Sequence, residues 1–314
     1  KILKLKLKLI QSQFYNMIYI LLILSFLQSN IIDTALGECE IEIFTLSHKS
    51  ILVEETIINY SKEVISQFGP CKQSPYIINI TNNRDDFNIK TNGRAPEWGI
   101  AITEKNPNRI IMQSPSTAKI SFKKLLQVLV HELNHVYLNN IKNSHSFPSW
   151  FKEGMAVSES GEFSINDRIL ISSAKWKNEL FSLNELITFR RVNKYNSRLA
   201  YAESYAMFIS LQSYYGVDIY KNTIQLMNAG YEFWYALVIT TGDEKEIIEN
   251  NIEKFLLKNY NWIFLLNAYN LIFIFLPLIL IGGYFYKRYK NKKLLRKWEI
   301  EDLLEDLYSN EEPN

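Results

Sequence analysis

His131-Glu132-Leu133-Asn134-His135 decides the reading of this chain. Two imidazoles four residues apart lie about one helical turn from each other, so both rings fall on one helix face, with a carboxylate beside the first. That spacing lets two ring nitrogens meet a single Zn²⁺ while Glu132 reaches a water on it, the arrangement of zinc hydrolases. The flanking residues supply the helix. Leu125, Leu126, Val128, Leu129, Val130, Leu133 and Val136 surround the motif without glycine or proline, which predicts a helix that is nearly fully buried. Histidine is scarce, with four in the chain and two of them here, which weighs against a chance pair of core histidines.

A catalytic zinc takes three protein ligands and keeps one position open. A histidine six residues after His135 would complete a three-histidine site, but that position is Ile141, and His145 comes four residues too late. Downstream lies Phe147-Pro148-Ser149-Trp150-Phe151-Lys152-Glu153-Gly154-Met155-Ala156-Val157, where proline opens a helix and Glu153 falls in its first turns. A second helix crossing the first could aim Glu153 at the metal.

The two segments HELNHVYLNN and PSWFKEGMAV resemble the gluzincin peptidases, and most closely the bacterial peptidase MA-like domain, which has a Trp-Phe-x-Glu-Gly-x-Ala second helix. The resemblance implies an α+β, zincin-like metallopeptidase domain: a small mixed sheet, the active-site helix, and a helical C-terminal half. It implies His131, His135 and Glu153 as Zn²⁺ ligands and Glu132 as the general base. A gluzincin also needs a donor for the oxyanion of the tetrahedral intermediate. No histidine follows His145, which leaves a tyrosine hydroxyl as the natural donor. Leu199 to Phe208 resembles the helix after the zinc site in this family, with Tyr201 and Ser204 matching its Tyr-x-x-small pattern. Tyr205, one turn on, shares that face and stays an alternative.

Upstream, Ala95-Pro96-Glu97-Trp98-Gly99-Ile100-Ala101 and Arg109-Ile110-Ile111-Met112-Gln113-Ser114-Pro115 look like the family's strand pair before the active-site helix. Such an edge pairs with an extended substrate backbone. The Gly-x-Met-Glu-Asn element of the aminopeptidase relatives is missing, which favours an endopeptidase. The resemblance thus implies a zinc metallopeptidase whose substrate is a peptide or protein. Its alternative is a catalytically inactive, peptidase-like binding module anchored in the membrane.

Both ends read as membrane sequence. Residues 1–37 are expected to be a signal peptide or N-terminal hydrophobic segment: a lysine-rich flank precedes the apolar run Met17 to Leu27, and Ala35 and Gly37 suit cleavage after Gly37. An uncleaved anchor is the alternative, and Met17 is a candidate start. Residues 38–261 form the peptidase domain. Residues 262–286 carry no charge and are expected to be a transmembrane helix, with Pro277 as a kink and Tyr260, Trp262, Tyr284 and Tyr286 at the interfaces. Lys287-Arg288-Tyr289-Lys290 follows at once and marks residues 287–314 as a cytoplasmic tail. The expected localisation is therefore the cell membrane, single-pass, with the catalytic domain extracytoplasmic. Cys39 and Cys71 would both lie outside the cytoplasm and are expected to form one disulfide, with two free buried thiols as the alternative.

Composition fits one substantial domain plus membrane segments: 314 residues, 47% hydrophobic, formal charge +2. No nucleic-acid partner is expected, because the lysines are densest at the two ends, Lys1 to Lys8 and Lys287 to Lys297, and form no basic stripe with interleaved aromatics. Between the landmarks, Glu40 to Thr45 and Tyr76 to Thr81 read as strands, and Ile51 to Phe68 as a helix stopped by Gly69-Pro70. Asn82 to Gly93 reads as a turn-rich loop. Helices are expected near Ser182 to Phe189, Leu199 to Tyr215, Tyr220 to Asn228 and Glu244 to Lys258. The likeness to the family spans Cys39 to Asn261.

Overall fold

Five short strands form one sheet, whose strands Tyr76–Thr81 and Arg109–Gln113 are buried on both faces. The computed structural model describes residues 28–43, 49–188, 194–261 and 268–309; the apolar run Met17 to Leu27, Thr45, Phe189, Trp262 and the tail beyond Ser309 lie outside these. The strands are β1 (Gln28–Thr34), β2 (Gly37–Ile43), β3 (Tyr76–Thr81), β4 (Ala101–Glu104) and β5 (Arg109–Gln113), in the order β1-β2-β3-β5-β4. β2, β3 and β5 run parallel, while β1 and β4 are antiparallel flanks. Ile41, Ile78 and Ile110 stand in one cross-strand row and are fully buried. A parallel step needs a crossover. Between β2 and β3 it is α1 (Ser50–Phe68), which buries Val53, Ile57, Tyr60, Val64 and Phe68 at helical spacing.

β1 uses residues that the sequence reading gives to the leader. It pairs with β2 along its whole length, from Gln28 opposite Ile43 to Thr34 opposite Gly37. Cleavage after Gly37 would remove this strand together with Leu36, which is fully buried. The two cysteines also differ from expectation, since no disulfide forms among the described residues and both are free. Cys39 is buried in β2, where burial pushes its thiol up to about 12 despite a hydrogen bond with Tyr76. Burial likewise lifts Cys71 to about 11. The stretch expected as loop contains α2 (Arg84–Lys90), which starts because Asn83 accepts a hydrogen bond from the Asp86 amide at 2.7 Å.

β4 and β5 form the expected antiparallel pair, and β4 is left at the edge of the sheet. A single turn, α3 (Pro115–Ala118), leads into α4 (Phe122–Asn139), whose N-cap Ser121 accepts from the Lys124 amide. Pro148 then opens α5 (Ser149–Ser160), as its position in the sequence predicts. α6 (Ile165–Lys177) begins with a reciprocal Ser164–Asp167 capping box. The helix expected near Ser182 is a set of turns instead, which bury Leu183 and Leu186. α7 (Lys194–Tyr215), α8 (Ile219–Ala229), α9 (Phe233–Thr241) and α10 (Lys245–Asn259) complete this part of the chain.

α5 packs between α4 and α7 over an aromatic core. Phe151 meets Phe233 at 4.7 Å between centroids, and Phe208 stacks on Tyr220 at 4.1 Å. Gly154 makes the close approach possible: a Cβ there would collide with the Ser204 carbonyl and lie 2.8 Å from the Cβ of Phe208. Internal contacts divide the chain into residues Lys1–Asn261 and Trp262–Asn314. In the second unit, α11 (Ala268–Ser309) runs through Pro277 without a break. Within it, Leu271–Glu305 is long and apolar enough to cross a membrane. The acidic end from Glu299, expected as a solvated tail or short helix, continues this helix as far as Ser309.

Candidate functional site

His131 and His135 sit one turn apart on α4, and their rings lie 5.0 Å apart between centroids. The crossing of α5 brings Glu153 to them. Its Oε2 stands 3.4 Å from the Nε2 of His131 and 3.4 Å from the Nε2 of His135. One donor atom from each of the three residues falls within a 4.8 Å cluster. The side chains are sheltered but reachable, 12%, 17% and 20% exposed for His131, His135 and Glu153.

This trio fits a zinc ion. Two ligand atoms at about 2.0–2.1 Å from a tetrahedral metal are separated by roughly 3.3 Å, close to the spacing between Glu153 and each imidazole. The Glu153 Oε2 atom is buried and has no hydrogen-bond partner, although two ring nitrogens face it. Two imidazoles that converge on one carboxylate oxygen without hydrogen-bonding it form a donor set that a cation would satisfy.

A fourth residue, Glu162, holds the first ligand. Its carboxylate meets His131 Nδ1 at 2.8 Å, and it is itself paired with Lys124 at 2.8 Å and with the Ser160 hydroxyl at 3.2 Å. A hydrogen bond to Nδ1 fixes the ring and leaves Nε2 free as a donor atom. Burial opposes charge on His131, but its contacts with Glu153 and Glu162 outweigh this and lift it to about 10. Burial raises Glu153, yet His135 and His131 hold it far below the usual carboxylate range. Glu162 follows the same logic and falls to about 2, through His131 and Lys124. A protonated imidazole cannot ligate, so metal binding here is coupled to proton release.

Glu132 lies on the same helix, and its carboxylate accepts a hydrogen bond from the Thr103 hydroxyl at 2.6 Å. Thr103 belongs to β4, so the edge strand orients the candidate base. Sequence reasoning missed Thr103 and Glu162: one sits in a four-residue strand, the other follows the helix-ending Gly161, and neither belongs to a periodic pattern. Tyr201 on α7 comes 6.2 Å from His131 between ring centroids and lines the same cleft. The carboxylates Glu153, Glu132 and Glu162, together with burial, keep its hydroxyl protonated well above its ordinary range. Tyr205 is placed differently, stacked on Phe163 at 3.9 Å.

The cleft holds about 900 Å³ and runs along β4, from Pro96 and Trp98 through Gly99 to Thr103, past both histidines and Glu153. Arg198 and Asp167, paired at 2.9 Å, line its far wall. The model of the peptidase MA superfamily matches residues 61–258. No curated protein matches the chain.

Proposed function

The chain belongs to the peptidase MA superfamily, and from that premise we propose that it is a membrane-anchored, zinc-dependent metallopeptidase acting as an endopeptidase. One observation carries this reading: the buried Glu153 oxygen stands at metal-ligand spacing from two imidazoles one turn apart, with Glu132 beside them on the same helix. His131, His135 and Glu153 would hold Zn²⁺, which supplies Lewis acidity that polarises a carbonyl and acidifies water.

The remaining work falls to the chain's own groups. Glu132, oriented by Thr103, accepts the proton of the attacking water and returns it to the leaving amine. The Tyr201 hydroxyl donates to the developing oxyanion. Glu162 keeps His131 in the tautomer that presents Nε2. The open edge of β4 supports pairing with an extended peptide that passes through the cleft, which suits cleavage within a chain.

Helix α11 supports membrane anchoring by its apolar stretch and the Lys287 to Lys297 cluster that follows, which suits a cytoplasmic side and an extracytoplasmic catalytic domain. The test uses the purified full-length chain with a mixture of peptides. Glu132→Gln should abolish hydrolysis while keeping the metal. An active Glu132→Gln variant would sink the mechanism, and metal binding without hydrolysis by the wild type would favour the inactive binding module.

A further inference from the structure

A second cavity of about 740 Å³ opens where α4 ends. Its wall brings together Lys72 before β3, Lys105 from the β4–β5 turn, and Lys142 and His145 from the segment after α4. No Asp or Glu lines it. None of the three lysines is paired with a carboxylate among the described residues; Lys105 instead donates to the Ser144 hydroxyl at 2.6 Å, which fixes its ammonium group at the wall. The carboxy end of α4 offers about half a negative charge, far less than three ammonium groups supply, so capping the helix does not account for the cluster. The Asn108 side-chain amide and the Asn140 Nδ2, both in this wall, are buried without a hydrogen-bond partner. Three ammonium groups with no carboxylate in the same wall suit an anion with several acceptor lone pairs.

The cavity continues the cleft. Asn139 lines both. Thr103, which touches Glu132, belongs to β4, and Lys105 follows two residues on, in the turn that ends this strand. A peptide lying along β4 therefore leads from the base toward the lysines within a few residues.

We propose that this cavity is an anion subsite that binds a carboxylate of the substrate, roughly two to four residues to one side of the bond that is cut. This rests on the peptidase reading above. The carboxylate has two sources, an Asp or Glu side chain or the free carboxy terminus of the peptide. Both place an anion of the same shape among the lysines, and charge-assisted contact with the ammonium groups would hold it.

The test measures fluorescence anisotropy of three labelled decapeptides on the full-length Glu132→Gln chain in detergent micelles. One peptide carries internal glutamates and an amidated end, the second is neutral with a free carboxylate, and the third is neutral and amidated. At least one of the first two should bind tenfold or more tighter than the third, and which one does identifies the source. That preference should shrink at least fivefold in Lys105→Ala/Lys142→Ala and with added salt, while zinc content and thermal midpoint report an intact fold. Lys142→Gln alone serves if the double variant does not fold. Equal binding of all three peptides, or a preference that survives the lysine substitutions, overturns the proposal. Hydrolysis of the same peptides by the wild type separates the two readings. Charge-selective binding without hydrolysis removes the peptidase and keeps the subsite, whereas hydrolysis without charge selectivity does the reverse.

Discussion

Gly154→Ala probes how the third candidate ligand is delivered. Glu153 reaches the histidines only because α5 lies hard against α7, and Gly154 is the point of contact. The added methyl would overlap the Ser204 carbonyl and sit 2.8 Å from both the Ser204 carbonyl carbon and the Phe208 Cβ. Carbon atoms rest at about 3.5–4.0 Å, so the helices must separate by roughly 1 Å. Neither neighbour can yield alone, since one is helix backbone and the other is a Cβ within the aromatic core. Overpacking of this kind costs about 1–3 kcal/mol. In a domain of this size that lowers Tm by about 2–4 °C for each kcal/mol. Glu153 shares the rigid helix, and a shift of that size takes its Oε2 off the 3.4 Å spacing to both imidazoles. The assay pairs a thermal melt with metal analysis of the full-length variant. A lowered Tm with reduced zinc content is expected, and wild-type Tm with full zinc would refute the packing argument.

Other predictions address single groups. Tyr201→Phe should lower kcat about 10²–10³-fold without loss of zinc, the effect of removing one oxyanion donor; unchanged kcat would reassign the donor. Glu162→Gln should weaken zinc affinity about 10–100-fold, read by competition with a chelator, because it frees the His131 ring. Glu203 is fully buried, and burial lifts its carboxyl to about 8, against the hydrogen bond it accepts from the Phe181 amide. Its folded pKa is thus above its unfolded value, so this contribution is complete below about pH 4.5 and is lost as pH rises toward 8. Chemical denaturation should show wild type and Glu203→Gln alike below about pH 4.5, and the variant more stable by up to several kcal/mol as pH rises toward 8; a constant difference would contradict it.

The helix at His131 was legible because seven apolar residues surround the motif without glycine or proline, and Glu153 because a proline start fixes its turn of helix. α1 and β3 were equally plain, since their apolar spacing ends at Gly69-Pro70 and Asn82. What escaped depends on contacts between distant segments. Glu162 and Thr103 act only through His131 and Glu132, and nothing in their own neighbourhood announces this. β1 was hidden because its residues follow an apolar run that resembles a leader, while its pairing partner lies beyond a tight turn at Gly37. α2 is polar over most of its length, and its signal is the Asn83 cap with Asp85 and Asp86 rather than a stripe. Around Ser182 the two buried leucines have helical spacing, but turns satisfy the same burial.

The metal content of the purified full-length chain tests the central claim most directly, with wild type measured beside His135→Ala and Glu153→Ala. The account predicts about one zinc per folded wild-type chain and loss of that zinc in both variants. A folded wild-type chain without zinc, or variants that retain it, would contradict the account.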